Sequence, residues 1–447
     1  MLRLLLSGVC LLVWMCGTAI SAAPPNIVFI MADDLGWGDV AFHDGPAPTP
    51  HLDRLATTGV ELTQHYVAPV CSPTRTALLS GRYWSRFGVT NPQNSRAYPW
   101  ETVTLARALK SVGYDTALTG KWHLGSLPEE GPLKFGFDHS YGSLAGGVGP
   151  WNHVYKTGPF SETWHRNDVR LHEDGHVTDL ITREAVQWIE SRTAAPFFLY
   201  VPFTAVHLPI KEPQPWLDAV PASIKGDVPR QYSACVMHLD DAVGRIIEAI
   251  DAAGKRNSTV VVFTSDNGGS WAENNDTRYA GDVYDSGKLV GRNEPLRGQK
   301  TQLYEGGIRV PAVVNWPGTL PSSQVQTPIH IADWMPTFSA LAGYQPDQDL
   351  NWDGRNVWPQ ISGQSSSEER TLYWVGTASK SKAVRVGDWK LIVQNPGPKQ
   401  TVELFNLADD PSETVELATT QPDRVRLLLQ TLQSVSASDR DAVAKNR

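Results

Sequence analysis

Cysteine is scarce in this chain, which has four in 447 residues. Cys10 and Cys16 lie in an apolar N-terminal segment, so the rest of the chain keeps only Cys71 and Cys235. Two cysteines allow one disulfide at most, or leave a thiol for another purpose. Cys235 lies in a helical pattern that is typical of a buried small hydrophobic residue.

Positive charge is also in deficit. The chain has 39 Lys and Arg against 47 Asp and Glu, a formal net charge of −8. A general nucleic-acid-binding protein needs a basic face, so we expect no nucleic-acid partner, although a local positive pocket for an anion is compatible with this balance. With 41% hydrophobic and 19% charged residues, the chain can bury a sizeable core and is not disordered.

Long hydrophobic runs are missing except at the N-terminus. Arg3 precedes an apolar stretch at residues 4–20, and the small residues 21–23 follow it. This order predicts a secretory signal over residues 1–23 and a secreted or periplasmic protein with no membrane span after cleavage. An uncleaved anchor is the alternative, but the run is short for a span.

Apolar runs alternate with helical patterns along residues 24–346. Continuous apolar segments at residues 26–31, 197–201 and 259–264 are typical of buried parallel strands, and residues 231–253 form a long helical pattern. We therefore predict an α/β catalytic domain with a large, mainly parallel sheet between helices. Beyond a polar stretch, residues 347–447 predict a small antiparallel sheet with one helix, at residues 423–435.

Two of the predicted strands end in hard oxygen ligands. Asp33 and Asp34 follow the first strand, and Asp266 and Asn267 follow a later one. In open α/β sheets, ligands bind at the carboxyl ends of the strands. Three carboxylates and an amide suit Ca²⁺ or Mg²⁺, and no Cys/His cluster is present to suit zinc. Either pair alone is equally typical of a loop start.

The segment from Cys71 to Arg75 combines a thiol with an anion-binding pattern. Pro73 suits the first turn of a helix, which places Cys71 at the helix N-terminus and Arg75 one turn later on the same face. Backbone N–H groups, the helix dipole and a guanidinium would then surround the thiol. A buried cysteine before an ordinary helix is the alternative explanation.

Further cationic or titratable side chains lie near predicted strand ends. Lys121 and His123 follow one strand, His207 follows another, and Lys300 precedes a Gly-Gly pair. Together with Arg75 they would balance the acidic residues, and this charge balance favours an oxyanion substrate held on a metal ion.

These motifs resemble those of the type I sulfatases in the alkaline-phosphatase-like superfamily. The resemblance rests on residues 26–37, 71–75, 120–125 and 265–269 and extends to residues 384–391 and 403–407. It is nearest to the arylsulfatase B, or N-acetylgalactosamine-4-sulfatase, type and to bacterial polysaccharide sulfatases. The resemblance implies a sulfuric ester hydrolase.

The resemblance also implies a role for each site residue. A formylglycine-generating enzyme, or an equivalent, converts the Cys of this motif to Cα-formylglycine, whose hydrate is the nucleophile. Arg75 and Lys121 would stabilise the hydrate, and His123 would help to release sulfate from the sulfated intermediate. His207 and Lys300 would bind the ester oxygens, and His207 would protonate the leaving alcohol. One Ca²⁺ per chain would be held by Asp33, Asp34, Cys71 in its modified form, Asp266 and Asn267.

The substrate is the least determined part of the sequence interpretation. The resemblance implies a galactose-type or N-acetylgalactosamine-type 4-sulfate in a sulfated glycan, although Leu208 stands where the arylsulfatase B type tends to carry an acidic residue. The glycine-rich segment 139–165 predicts a substrate-binding rim, with sugar contacts from Trp151, His153 and Trp164. A phosphonate monoester hydrolase or phosphodiesterase and a catalytically dead glycan-binding protein are the alternatives.

Overall fold

The computed structural model describes residues 23–365 and 369–445. Nearly all of the predicted secretory signal therefore lies outside the described residues. Among the helices that are described, none has the length and apolar character that crossing a membrane requires.

A ten-stranded mixed sheet forms the centre of the molecule, in the order β11-β2-β10-β9-β1-β8-β4-β5-β6-β7. Strands β9, β1, β8, β4 and β5 are parallel neighbours, and the antiparallel pairings lie towards the two edges. A short parallel pair, β3 and β12, lies apart from this sheet. The strands described for the whole chain are β1 Asn26–Ala32, β2 Val60–Leu62, β3 His65–Tyr66, β4 Asp115–Lys121, β5 His139–Ser143, β6 Trp164–Arg166, β7 Val169–Arg170, β8 Phe197–Pro202, β9 Thr259–Ser265, β10 Ala312–Asn315, β11 Ser323–Val325, β12 Ile329–His330, β13 Thr371–Val375, β14 Ser381–Val386, β15 Trp389–Gln394 and β16 Thr401–Asn406.

Helices cover both faces of the large sheet because its central strands are apolar on both sides. Along β1, Phe29 and Met31 join the core on one face and Val28 and Ile30 join the core on the other. Helices α2, α3 and α8 pack on the first face, and α1, α4 and α6 pack on the second. The helices are α1 Pro50–Thr58, α2 Cys71–Ser80, α3 Leu105–Ser111, α4 Val177–Glu190, α5 Gln214–Ala219, α6 Asp227–Ala252, α7 Glu305–Ile308, α8 Trp334–Ala342, α9 Trp358–Ile361 and α10 Pro422–Ser436.

A four-stranded antiparallel sheet, β13-β14-β15-β16, follows the large sheet. One of its faces packs against α10 through residues such as Leu391 and Leu428. The other face contributes Trp374 and Ile392 to the core that also includes Phe29 of the large sheet. The two sheets therefore share apolar packing.

The predicted fold class is confirmed by this architecture. The strands predicted at residues 26–31, 197–201 and 259–264 are β1, β8 and β9, and each is one residue longer than predicted. Short edge strands such as β6, β7 and β11 were not predicted. The segment 139–165, predicted as a substrate-binding rim, contains β5 and the start of β6. The division of the chain between residues 346 and 347 stays a prediction.

A fully buried ionic cluster joins the small sheet to the large one. Lys390 on β15 lies 2.8 Å from Glu305 at the start of α7 and 2.9 Å from Glu413. Burial raises the pKa of Glu413 to about 7, and the carboxylate of Glu305 adds to that effect although Lys390 opposes it. The ammonium group is thus the counter-charge for two buried carboxyl groups.

We expect Lys390→Met to lower the free energy of unfolding by about 3–5 kcal/mol, because the substitution removes the ammonium group between two buried carboxyl groups and leaves Glu305 with the longer, 3.6 Å contact to Arg309. Urea unfolding monitored by tryptophan fluorescence measures the change. Lys134→Met is the matched control, since Lys134 pairs with Asp168 at 3.2 Å on the exposed surface and its loss costs at most about 1 kcal/mol. Equal effects of the two substitutions would show that the buried cluster does not stabilise the fold.

Candidate active site

The carboxyl ends of neighbouring parallel strands meet at one edge of the large sheet. Asp33 and Asp34 follow β1, Asp266 and Asn267 follow β9, and Lys121 ends β4. The backbone N–H of Asp34 donates to the Asp266 carboxylate at 3.2 Å, which joins the first two strand ends directly. The structure therefore brings together the polar groups that the sequence predicted at separate strands.

The oxygen atoms at these strand ends suit a hard divalent cation. All four side chains are fully buried, and Asp33 Oδ1 and Asn267 Oδ1 have no hydrogen-bond partner among the described residues. A buried acceptor without a donor is costly unless a ligand satisfies it. One oxygen each of Asp33 and Asp34 and a ring nitrogen of His207 lie within 4.8 Å of one another. Carboxylate and amide oxygens are the ligands that Ca²⁺ takes.

Helix α2 positions Cys71 against this edge. The helix begins at Cys71, so Pro73 lies in the first turn, where its missing N–H is tolerated. Arg75, one turn later, donates to the Asp266 carboxylate at 2.7 Å and to the Lys121 carbonyl at 2.7 Å. Cys71 Sγ lies 3.3 Å from His123 Nδ1.

Cations and carboxylates alternate around Cys71. Lys121 donates to Asp33, and Lys300 lies 2.7 Å from an oxygen of Asp34. Lys121 is fully buried, and Lys300 reaches the site from the loop before α7. The predicted cations therefore face the predicted carboxylates, and each carboxylate has a partner of opposite charge.

Burial sets the protonation of the remaining groups. It lowers the pKa of His123 and of His207 well below the usual range, and the nearby lysines add to this effect, so both imidazoles are neutral. His207 Nδ1 donates to the Leu208 carbonyl, which leaves Nε2 facing the site. Burial raises the pKa of the Cys71 thiol, so the unmodified thiol is protonated at neutral pH and is a poor nucleophile.

An open cavity of about 650 Å³ lies directly over this group. Its lining carries three cations and two carboxylates, together with aromatic and small residues, and consists of Cys71, Pro92, His123, Gly146, Gly147, Tyr155, Lys156, His207, Leu208, Ala272, Glu273, Asn275, Asp276, Thr277, Arg278, Tyr279 and Lys300. Gly147 lies so close to His207 that an added Cβ would fall 2.5 Å from its Nδ1. The cavity is large enough for a sugar ring with its sulfate.

The three residues predicted to form the substrate rim lie elsewhere. His153 and Trp164 are buried and stack on each other with ring centroids 4.6 Å apart. Trp151 is half-exposed, but its indole N–H donates to the Lys211 carbonyl at 2.9 Å and the ring does not line the cavity. These positions differ from the predicted ones because β5 pairs with β6, and this pairing directs the Trp164 side chain into the packed interior.

Other residues, which the sequence analysis missed, form the rim of the cavity. Lys156 lies 5.3 Å from the ring centroid of Tyr279 and 3.5 Å from Asp276, which Arg278 also contacts, at 2.6 Å. Tyr155 packs edge-on against Tyr279. Tyr155 and Lys156 belong to the glycine-rich segment. An aromatic residue beside a cation could have indicated a sugar contact there, but the neighbouring tryptophans gave a stronger indication. No periodic pattern marks the segment that contains Arg278.

Comparisons with family models and with known proteins match most of this chain. The sulfatase family matches residues 25–344, and the family described as the C-terminal part of N-sulphoglucosamine sulphohydrolase matches residues 298–436. Arylsulfatase J of Mus musculus is 32% identical over 93% of this chain and 76% of its own length. N-acetylgalactosamine-6-sulfatase of Mus musculus is 34% identical over 82% of this chain and 71% of its own length.

A solved structure has the same fold over nearly the whole chain. The crystal structure of Ps i-CgsB in complex with k-i-k-neocarrahexaose superposes with a TM-score of 0.81 and 28% identity and covers 95% of both chains. The family matches cover more than half of the chain, and the relatives carry sulfatase names. This chain therefore belongs to the type I sulfatases of the alkaline-phosphatase-like superfamily and is a sulfuric ester hydrolase.

Proposed function

We propose that this sulfatase removes sulfate from a galactose-type ring of an extracellular sulfated polysaccharide or oligosaccharide, and that it uses Cys71 as the precursor of its nucleophile. The position of Cys71 carries the proposal: the side chain begins α2, faces His123 and opens into the cavity between strand-end carboxylates and lysines. That arrangement supports a nucleophile that attacks an anionic ester.

Each site residue has a task in this proposal. When Cys71 is converted to Cα-formylglycine, the hydrated aldehyde supplies the hydroxyl that attacks sulfur. Arg75, fixed by Asp266 and by the Lys121 carbonyl, holds the helix start in place. Lys121 and Lys300 bind oxygens of the sulfate, and His123 accepts a proton beside residue 71.

His207 is the proposed acid for the leaving alcohol. Because the Leu208 carbonyl accepts the Nδ1 proton, Nε2 of the neutral ring directs a lone pair into the cavity and holds a transferable proton only when the imidazolium forms. A sulfate anion bound beside this ring would raise the low pKa that burial imposes, since the negative charge favours the imidazolium. His207 would then donate that proton as the ester bond breaks.

Asp33, Asp34, Asp266, Asn267 and an oxygen of modified Cys71 would hold one Ca²⁺. The buried oxygens of Asp33 and Asn267 that lack a donor support this assignment. When bound, Ca²⁺ supplies positive charge that draws the sulfate oxygens into the site.

The rim of the cavity supports a polyanionic glycan as substrate. Tyr155 and Tyr279 offer ring faces and edges for a sugar, and Lys156 and Arg278 share the single carboxylate of Asp276. Positive charge thus remains for a second sulfate of a polymer. The related N-acetylgalactosamine-6-sulfatases are named for a galactose-type sugar, and the structural neighbour was crystallised with a bound oligosaccharide, k-i-k-neocarrahexaose.

Export and maturation complete the proposal. The apolar stretch at residues 4–20 supports secretion or export to the periplasm, where sulfated polymers are encountered. A formylglycine-generating enzyme, or an equivalent, would modify Cys71 during maturation. The sulfate position at O4, implied by the sequence resemblance, stays a prediction. Because some relatives are named as 6-sulfatases, activity on 4-sulfated sugars has to be compared with activity on 6-sulfated sugars.

Active protein is expected to carry an aldehyde in place of the Cys71 thiol, which peptide mass spectrometry detects as loss of sulfur and gain of oxygen. Cys71→Ala should lower aryl sulfate turnover by a factor of at least about 10³, because it removes the nucleophile. Cys235→Ala is the control, since Cys235 is buried in α6 away from the cavity. Full sulfatase activity in Cys71→Ala, or faster hydrolysis of an aryl phosphodiester than of an aryl sulfate by the native protein, contradicts the proposal.

Calcium is expected to raise the thermal stability of the native protein by about 2.7 kcal/mol at a concentration 100 times its Kd. Asp266→Asn should abolish both this shift and turnover, because it removes a ligand charge. Asp115→Asn, at the opposite end of β4 in a surface pair with Arg192, should keep both. Differential scanning fluorimetry after chelation and calcium addition gives the readout, and an unchanged calcium shift in Asp266→Asn would overturn the metal assignment.

Sulfate release from 4-sulfated and 6-sulfated galactose-type oligosaccharides is expected to favour the 4-sulfated series. Replacement of Lys156 or Arg278 by Gln should raise KM for these oligosaccharides about tenfold, or about 1.4 kcal/mol, without changing turnover of a small aryl sulfate. Trp151→Ala, outside the cavity, is the control. Exclusive release of 6-sulfate refutes the regiochemistry, and unchanged KM values refute the rim as a glycan contact.

A further inference from the structure

A second group of metal-ligating side chains lies behind the active site, between α4, α6 and the segment after β8. His176 immediately precedes α4, Asp179 lies in the first turn of α4, and His238 lies in the middle of α6. One ring nitrogen of each histidine and one carboxylate oxygen of Asp179 lie within 4.8 Å of one another. Sequence reasoning missed this group because its members come from distant parts of the chain.

The two histidines are buried with nitrogen atoms that have no hydrogen bond. His176 and His238 are 3% and 1% exposed, and the Nε2 atoms of both lack a partner among the described residues. Trp216 stacks on the His238 ring and Trp151 meets the His176 ring edge-on, so aromatic side chains shield the pair. The nearest carboxylate oxygens are 3.5 Å away, Glu212 for His176 and Asp179 for His238, which is long for a hydrogen bond, so a ligand between these groups would satisfy the buried nitrogens.

Glu212 fixes the orientation of His238. His238 Nδ1 donates to Glu212 at 2.7 Å, which leaves the lone pair of Nε2 directed towards Asp179 at 3.5 Å. A carboxylate that accepts from one ring nitrogen while the other binds a metal is the usual arrangement around histidine ligands. Ligands at about 2.0–2.2 Å from a tetrahedral ion lie about 3.4 Å apart, close to this separation.

Two carboxylates lie at the cluster, and a bound cation would balance their charge. Glu212 is buried, and Asp179 shares its charge with Arg245 at 2.9 Å near the surface. His238 lies between these two carboxylates, 2.7 Å from Glu212 and 3.5 Å from Asp179, and His176 Nε2 lies 3.5 Å from Glu212.

We propose that His176, His238 and Asp179 bind one divalent transition-metal ion of the Zn²⁺ class, with Glu212 orienting His238. The contacts that His176 makes without the ion are long: the Thr178 N–H lies 3.4 Å from Nδ1, and a Glu212 oxygen lies 3.5 Å from Nε2.

The ion has a structural task in this position. His176 and Glu212 line the same small cavity as Thr204 and His207. A metal there joins α4 and α6 and, through Glu212, the chain segment that carries His207. It therefore fixes the segment that presents the proposed acid to the substrate.

Zinc binding to the calcium-saturated native protein tests the proposal, because excess Ca²⁺ occupies the oxygen-rich active site. Equilibrium dialysis with elemental analysis should find one Zn²⁺ per chain, and Co²⁺ in its place should give the strong visible absorption of a tetrahedral site. Glu212→Gln should weaken Zn²⁺ binding by a factor of about 10–100, and Asp179→Asn should remove the Co²⁺ spectrum.

Two controls keep the test decisive. Asp179 is half-exposed, so Asp179→Asn is expected to fold even if the buried Glu212→Gln does not. His139→Gln alters another His–carboxylate pair, with Glu184, on the far side of α4 and should leave Zn²⁺ binding unchanged. No bound Zn²⁺ in the native protein, or equal Zn²⁺ affinity in Asp179→Asn, would overturn the proposal and identify His238 as an imidazolium between two carboxylates.

Discussion

The buried pair between Arg75 and Asp266 is the interaction on which the active site depends. Both side chains are fully buried, and their contact joins the first turns of α2 to the end of β9. The same guanidinium donates to the Lys121 carbonyl at the end of β4. One planar cation with fixed donor directions thus sets the position of Cys71, at the start of α2, relative to two strands. Loss of either partner would leave an uncompensated charge in the protein interior.

The electrostatics of the site explain why an anionic substrate can enter a protein with excess negative charge. Lys121, Lys300 and Arg75 are paired with carboxylates that follow two central strands. A cation of the kind proposed above would satisfy those carboxylates instead and would leave the ammonium groups for the oxygens of an anionic substrate. The overall charge of −8 therefore says little about the cavity. Local pairing, and not the net charge, determines which ligands the site accepts.

The residues predicted for the catalytic centre lie together at one edge of the sheet, whereas the residues predicted for the rim lie outside the cavity. Asp33, Asp266 and Cys71 follow strong local signals: continuous apolar strands with carboxylates at their ends, and a proline in the first helical turn. Parallel pairing of β9, β1, β8 and β4 then brings these residues to one edge. Local patterns therefore predicted the fold class and the strand ends at which these residues meet.

Residues that meet through long-range packing gave no such signal. Trp164 was chosen for its aromatic ring, but its position in β6 directs it into the interior, because alternate residues of a strand face opposite sides. Arg278 and Tyr279 reach the cavity from a long irregular segment, and His176 meets His238 only because α4 packs on α6. Edge strands of two or three residues are too short to leave a periodic pattern.

The cluster of Lys390, Glu305 and Glu413 has a consequence for how this fold can be recombined. Glu305 begins α7, a few residues after Lys300, so the small sheet holds one end of the loop that carries Lys300 to Asp34. Glu413 would be exchanged together with Lys390, whereas Glu305 would stay. A C-terminal part taken from another sulfatase would therefore have to supply an ammonium group at the same place on its third strand, or the buried Glu305 carboxylate would keep the 3.6 Å contact with Arg309 but lose its nearer cation. The two sheets are therefore exchangeable between relatives only as a matched pair, however separate they look along the sequence.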